Sequence, residues 1–306
     1  MEDQEILDKD LLNKEIPGKK TIKHIVIPGG GGTGYIAYGA LRESHAQGLW
    51  KIEDIESIYG TSIGAVFAVV LSLKYEWQIL DDYLIKRPWH QVFDFNMYSI
   101  INSFQKQGMF DIKLFEEMFS PLFRGLDLSL SITMKELYEF SKIDIHLYAT
   151  ELGSFKIIDI SHKTHPDWRV IDATYASSAL PLLVAPLFKD GKYYMDGGMF
   201  LNYPIYPCIQ NGANVDEILG ISRKEISPEV EFSDKSTLFD YILLIFNKAL
   251  VSIMLNNEIN TIHVPNEIEI ECYSISMYDL YMLATSQEER IRFIEKGVNS
   301  VIPKPY

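Results

Sequence analysis

Cysteine is scarce. Two residues, Cys208 and Cys272, cannot build a disulfide framework, and they do not form a CxxC metal pair. A reducing compartment, or indifference to redox, is expected. Cations are the minority charge: 28 Lys and Arg face 42 Asp and Glu, a formal charge of −14. Such a surface repels phosphate backbones, and no long basic run offsets it, so nucleic acid is excluded as an expected partner. An acidic protein still meets a membrane through apolar contacts. A spanning segment is missing too. The longest strongly apolar uncharged run, Ser57–Leu73, has 17 residues, short of the roughly 20 that cross a bilayer. Residues 1–20 carry six acids and four lysines and lack the apolar stretch of a signal peptide. The expected location is therefore intracellular, cytoplasmic or peripheral on a membrane. No EF-hand spacing and no internal repeat is present.

What is present is an ordinary globular composition, 47% hydrophobic and 23% charged in 306 residues, enough to bury a core without staples. Short β-branched runs at 21–27 and 55–59 are each followed by a glycine turn and an apolar helical pattern. Residues 75–87 read as an amphipathic helix stopped by Pro88. Asp111 caps a helix that Pro121 is expected to interrupt, and Thr133 and Glu136 fit a capping box. Consecutive strands flank Gly153, a helix over 170–180 precedes Pro181, and KYYMD and EILGIS are further strands. This alternation predicts an α/β fold, three layers with a mostly parallel central sheet. The expected division is a charged lead-in at 1–20, a catalytic domain at 21–222, and a C-terminal helical extension at 223–306 packed on the same domain.

Glycine marks three places for chemistry. Gly29–Gly34, GGGGTG, stands between a strand and a helix. Its bare N–H groups suit an oxyanion or a phosphate, the string also fits G-x-G-x-x-G, and a plain turn is the third reading. A Cβ at Gly31 is expected to crowd the ligand space or strain the backbone. Gly60–Gly64, GTSIG, is G-x-S-x-G in the strand–turn–helix setting of a nucleophile elbow, with Ser62 as a helix cap the alternative. Asp196-Gly197-Gly198 ends a strand with a carboxylate beside two residues that allow close approach, or is an ordinary turn.

A serine nucleophile needs a base. None of the seven histidines sits in a strand-end or glycine-flanked setting, and His24 and His146 read as structural. The order Ser62, Asp196, His263 permits a triad; Asp196 bonded directly to Ser62 needs no histidine. A dinucleotide site would need an acid at the end of the second strand, whereas Glu53, Asp54 and Glu56 precede or begin it.

The ordered set GGGGTG, GTSIG and DGG, with ATYASSALPLLVAPLFKDGKYYMDGGMFLNYPI around the last, resembles the patatin-like phospholipases over about residues 21–222. One departure is that Thr33 stands where the family loop has Arg or Lys; if that residue only orients the loop, Thr33→Arg should be tolerated. The resemblance implies a three-layer α/β/α fold and hydrolysis of lipid acyl esters by a Ser-Asp dyad, with no metal and no cofactor. By position, Ser62 is the nucleophile and Asp196 the base. The N–H groups of Gly30, Gly31 and Gly32, helped by Ile63, form the oxyanion hole. The expected partners are a phospholipid or other lipid ester, with peripheral membrane contact and a protein activator left open. The rivals are a nucleotide-binding α/β protein and a catalytically silent lipid-binding protein. Trp89–Phe110 is an acyl pocket or lid, or ordinary packing; Leu238–Leu255 is read as a core helix with one wet face rather than a lipid-facing one.

Overall fold

The buried β-branched run of β1 (His24–Ile27) leads through a short 3-10 turn into α1 (Gly34–Ala46). The computed structural model that shows this describes residues 20–93, 107–225, 262–272 and 277–301, with single positions between 241 and 248. The unit repeats in β2 (Ser57–Thr61) and α2 (Ile63–Ser72). Next come α3 (Trp77–Asp81), widened into a π turn over Asp82–Lys86, β3 (Gly108–Phe110), α4 (Ile112–Arg124) and α5 (Met134–Ser141). The strands β4 (Asp144–Glu151) and β5 (Lys156–Ile160) precede α6 (Val170–Ser177). Then follow β6 (Leu182–Val184), β7 (Leu187–Lys189), β8 (Lys192–Asp196) and α7 (Ile205–Gln210). The described chain ends with β9 (Ile218–Glu225), β10 (Asn266–Cys272), α8 (Met277–Thr285) and α9 (Gln287–Val301).

The main sheet has the order β10-β9-β1-β2-β4-β8-β7. The first five strands run parallel, an arrangement that tight hairpins cannot join. The hairpin partners β5, β7 and β8 are antiparallel. Alternation of side chains splits the core into two layers. Ile25, Ile27 and Ile58 pack with Ile36, Phe67 and Ile294 on one face. Val26, Tyr59 and Tyr148 pack with Ile205 and Cys208 on the other. The sheet is thus covered on both sides, as the alternation of elements predicts.

Three local features bear on the sequence reading. First, α4 runs through Pro121 rather than breaking there. Proline deprives the Glu117 carbonyl of its usual N–H, and Arg87 Nη2 donates to that oxygen instead, at 2.8 Å. The Thr133–Glu136 capping box forms as expected. Second, the stretch after 222 contributes β10 as well as helices, paired in parallel with β9. Its α9 lies so close to α1 that a Cβ at Gly297 would collide with the Ile36 carbonyl. The buried Arg290 guanidinium donates to the carbonyls of Ile85 at 2.7 and 3.0 Å and of Ala284 at 3.3 Å, tying α8 to the π turn. Third, His146 lies at the amino end of β4, stacked on Tyr59, with Nδ1 2.7 Å from Asp159. Burial alone would lower its pKa, but bonds to Asp144 and Asp159 outweigh that and carry it up to about 9. It is a structural cation. Residues 1–19 and 94–106, and most of 238–255, lie outside the described residues; within the last stretch the helical Tyr241, Ile242 and Ile245 are exposed. Among the described residues no helix is long and apolar enough to cross a membrane.

Candidate active site

Two strands meet end to end along one edge of β4. Tyr148 pairs with Thr61 of β2 and, on its other edge, with Asp159 of β5. The next residue, Ala149, pairs with Ile158 of β5 and with Asp196 of β8. Hence β2 and β8 share the edge opposite β5, approach from opposite directions, and stop one register step apart. Ser62 leaves β2 at that gap and Asp196 ends β8 there.

Ser62 has φ 57° and ψ −124°, a conformation costly for any residue with a side chain. The flanking glycines make the turn sterically feasible: a Cβ at Gly60 would collide with the Gly64 carbonyl, and one at Gly64 with the Ile27 carbonyl. Hydroxyls from the end of α6 hold the turn. Ser177 Oγ accepts from Ser62 N at 3.1 Å and donates to Tyr148 O at 2.6 Å, while Ser178 Oγ donates to Ser62 O at 3.0 Å. Thr61 Oγ1 donates to Leu201 O at 2.8 Å.

The Asp196 side chain is buried beside the Ser62 hydroxyl and accepts a hydrogen bond from Gly198 N at 2.7 Å. Burial pushes its pKa up to about 6, against the opposing pull of the Ser62 hydroxyl and of Gly198 N–H. Gly197 lets the turn lie on β4, since a Cβ there would meet the Tyr148 carbonyl.

The glycine loop faces the same gap. Gly29 is clamped by Asn202, whose carbonyl accepts from Gly29 N at 3.0 Å. Arg223 from β9 donates Nη1 to Gly29 O at 2.7 Å. Its guanidinium lies over Gly30, where a Cβ would fall 2.6 Å from Nη1. Thr33 Oγ1 donates to Gly30 O at 2.9 Å. The N–H groups of Gly30, Gly31 and Gly32 meet no protein acceptor among the described residues. Ile63 N–H opens α2, where a helix supplies no acceptor of its own. Gly31 has φ 54°, so a Cβ there would strain the backbone as expected; no protein atom lies within 4 Å of that position, whereas a Cβ at Gly30 would meet Thr33 Oγ1 and the Arg223 guanidinium.

These groups border a cavity of about 330 Å³ that is otherwise mostly apolar. Trp89, Phe93 and Phe110, the described residues at the ends of the aromatic stretch, line it. Leu280 and Leu283 of α8 form part of its wall. No histidine is among the described lining residues. His263 pairs with Glu267 at 2.6 Å, and His24 with Ser57 at the amino end of the sheet. Glu53 and Asp54 precede β2, and Glu56 pairs with Lys23 at 3.0 Å. All three acids lie at the opposite end of β2 from the glycine loop, which leaves the dinucleotide reading without its ribose ligand. No group of three or more His, Cys, Asp or Glu among the described residues is arranged to hold a metal ion.

Sequence reasoning missed Ser177 and Ser178 as braces of the turn, and Asn202 and Arg223 as clamps of the loop. The two serines stand at a strand-directed helix end, which was the one signal available for them.

Residues 25–209 match the family model described as Patatin-like phospholipase. The uncharacterized protein R571 of Acanthamoeba polyphaga mimivirus is 23% identical over 184 residues, which are 60% of this chain and 60% of that protein. The probable lipid hydrolase 463L of Invertebrate iridescent virus 6 is 24% identical over 188 residues, 61% of this chain and 63% of that protein. The chain thus spans about three-fifths of the length of the curated relatives it matches. Among solved structures, VipD from Legionella pneumophila shares the fold with a TM-score of 0.54 at 16% identity, over 92% of this chain and 66% of that one.

Proposed function

The chain belongs to the patatin-like phospholipase family, and on that premise we propose that it is a serine lipid acyl hydrolase of the phospholipase A type. The observation that carries the reading is one juxtaposition. Ser62, in its strained turn, stands with its hydroxyl beside the buried Asp196 at the edge of an apolar cavity. Asp196 takes the hydroxyl proton as Ser62 Oγ attacks the ester carbonyl. The resulting oxyanion sits among the N–H groups of Gly30, Gly31, Gly32 and Ile63. Collapse expels the alcohol, which takes the proton from Asp196. Water then cleaves acyl-Ser62 with Asp196 again as base, releasing the fatty acid. The apolar walls hold the acyl chain and keep bulk water from the carboxylate. The catalytic unit extends over 21–222, and β10 and α8 complete its sheet and its cavity. A lipid surface met peripherally would supply the substrate. Incubation with a mixed phospholipid extract and chelator, read by mass spectrometry, should show free fatty acid and lysolipid. An unchanged lipid profile, in protein confirmed to be folded, sinks the reading.

Arg223 provides a second handle. The family pattern places its basic residue in the loop, at the position of Thr33; here a guanidinium reaches the loop from β9. Releasing Gly29 O should let the N–H groups drift, so Arg223→Ala should lower kcat about 10–100-fold with a smaller change in KM. Thr33 is buried beside that guanidinium. Thr33→Arg alone should therefore be harmful, and added to Arg223→Ala it should recover part of the rate. Wild-type kcat in Arg223→Ala removes the role. Gly30→Ala, which would press on Thr33 Oγ1 and the Arg223 guanidinium, and Gly31→Ala, which would strain a backbone at φ 54°, should both lower kcat.

A further inference from the structure

Beyond the active site, two hairpins carry exposed apolar side chains that the core does not use. In the turn from β4 to β5, Leu152 and Phe155 are 43% and 51% exposed; on β7 and β8, Phe188 and Tyr193 are 60% and 42% exposed. They form one patch. Phe188 and Tyr193 are cross-strand partners with ring centroids 4.7 Å apart. Leu152 N donates to Tyr193 O at 2.8 Å. Phe155 meets Phe200 edge-on at 4.9 Å, and Met199, the preceding residue, lines the cavity. Phe155 thus packs on the turn whose Met199 lines the cavity. The patch stands at the carboxyl end of β4, the end at which Ser62 and Asp196 meet.

Two features argue that the patch has an occupant. Phe155 sits at φ 56°, where glycine or asparagine would be the ordinary choice and a bulky residue is strained. Its edge-on contact with Phe200 leaves about half of the residue facing solvent. The local charge also departs from that of the whole chain. Lys156, Lys189 and Lys192 stand on these hairpins with Glu151 and Asp190, and Lys189 is tied to the buried Asp172 at 3.0 Å, so the charges balance locally in a protein of net charge −14. Glu151 is held by Ser154 Oγ at 2.6 Å and lies 3.5 Å from Lys192.

We propose that these two hairpins dock the protein on a phospholipid bilayer, with Phe155, Phe188, Leu152 and Tyr193 entering the interface and the exposed Lys156 and Lys192 beside lipid phosphates. The proposal rests on the lipid hydrolase reading for its purpose, because docking at this end brings the cavity to where acyl chains are. Aromatic and aliphatic side chains with flanking lysines are the combination that holds peripheral proteins at the headgroup boundary.

The test uses the pair Phe155→Asn and Phe188→Thr. Asparagine tolerates the positive φ and threonine suits a strand, so the fold is expected to persist. Binding is read in Ser62→Ala protein, which leaves the lipid intact, by sedimentation with phosphatidylcholine vesicles containing phosphatidylserine. The Ser62→Ala protein should sediment with the vesicles, and the pair should lower its partition at least about tenfold. In the active protein the pair should lower hydrolysis of vesicle lipid similarly and leave turnover of a water-soluble short-chain ester unchanged. Equal partition with and without the pair overturns the proposal, as does Ser62→Ala protein that stays in the supernatant. Loss of a dimer on light scattering, with partition unchanged, would assign the patch to a second copy of the chain. If the partition difference holds and no form cleaves any ester, the docking surface stands and the catalytic reading fails.

Discussion

Ser62→Ala is expected to reduce ester hydrolysis to the uncatalysed background and to abolish covalent labelling by a fluorophosphonate probe. The acyl intermediate needs an oxygen at that atom and nowhere else, and the loss is as large as the catalysis itself. A control follows from the backbone. At φ 57° and ψ −124° the residue pays for its position, on the order of 1–3 kcal/mol for a side-chain-bearing residue. Ser62→Gly removes the same hydroxyl but relieves that strain. It should be equally inactive and melt at a higher temperature than wild type, whereas Ser62→Ala should show no such gain. Strain without a packing purpose is what a nucleophile turn requires, because it lifts the hydroxyl clear of the helix that follows. Full hydrolysis by folded Ser62→Ala, or probe labelling at another serine, would remove Ser62 from the reaction.

The parts that could be read from the sequence are those in which local chemistry has one outcome. A β-branched run, a glycine turn and an apolar helix in succession give β1 to α1 and β2 to α2, because no other conformation buries those side chains and tolerates those glycines. The Asp196 turn was legible as a strand end, and its relation to Ser62 came from the family resemblance. No spacing rule says that β8 stops opposite Ala149 while β2 stops opposite Tyr148. The parts that could not be read depend on distant partners. Pro121 reads as a helix breaker until Arg87 is seen to satisfy Glu117 O. Arg223 is one cation in a polar strand until the sheet brings it to Gly29. Leu280 and Leu283 carry no signal of lining a cavity, since their helix is held in place by Arg290 from the next one.

Asp196→Asn is expected to lower kcat by the roughly 10²–10⁴ of a lost general base while making the protein more stable near neutral pH. The two effects share one cause. Asp196 is fully enclosed, and burial raises its pKa from 3.8 to about 6. For an acid whose folded pKa lies above its unfolded value, the fold favours the protonated form. Stability is therefore greatest below pH 3.8 as far as this group is concerned. It declines as pH rises through 6, and by pH 7 the buried charge costs up to about 3 kcal/mol. Asparagine keeps the acceptor for Gly198 N and offers Ser62 a donor, without a charge to bury. Denaturant titration at pH 7 to 8 should show the variant ahead of wild type, and the difference should shrink as pH falls toward 4. Activity should follow the same ionisation in the opposite sense: wild-type kcat/KM rises through a pKa near 6, and the residual rate of Asp196→Asn lacks that inflection. A merely structural aspartate would behave otherwise, since its removal would lower stability and activity together. His263, exposed and paired with Glu267, provides the counterpart, and His263→Ala should leave both the rate and the inflection unchanged. Collapse of activity in folded His263→Ala, with the inflection retained in Asp196→Asn, would transfer the base to histidine.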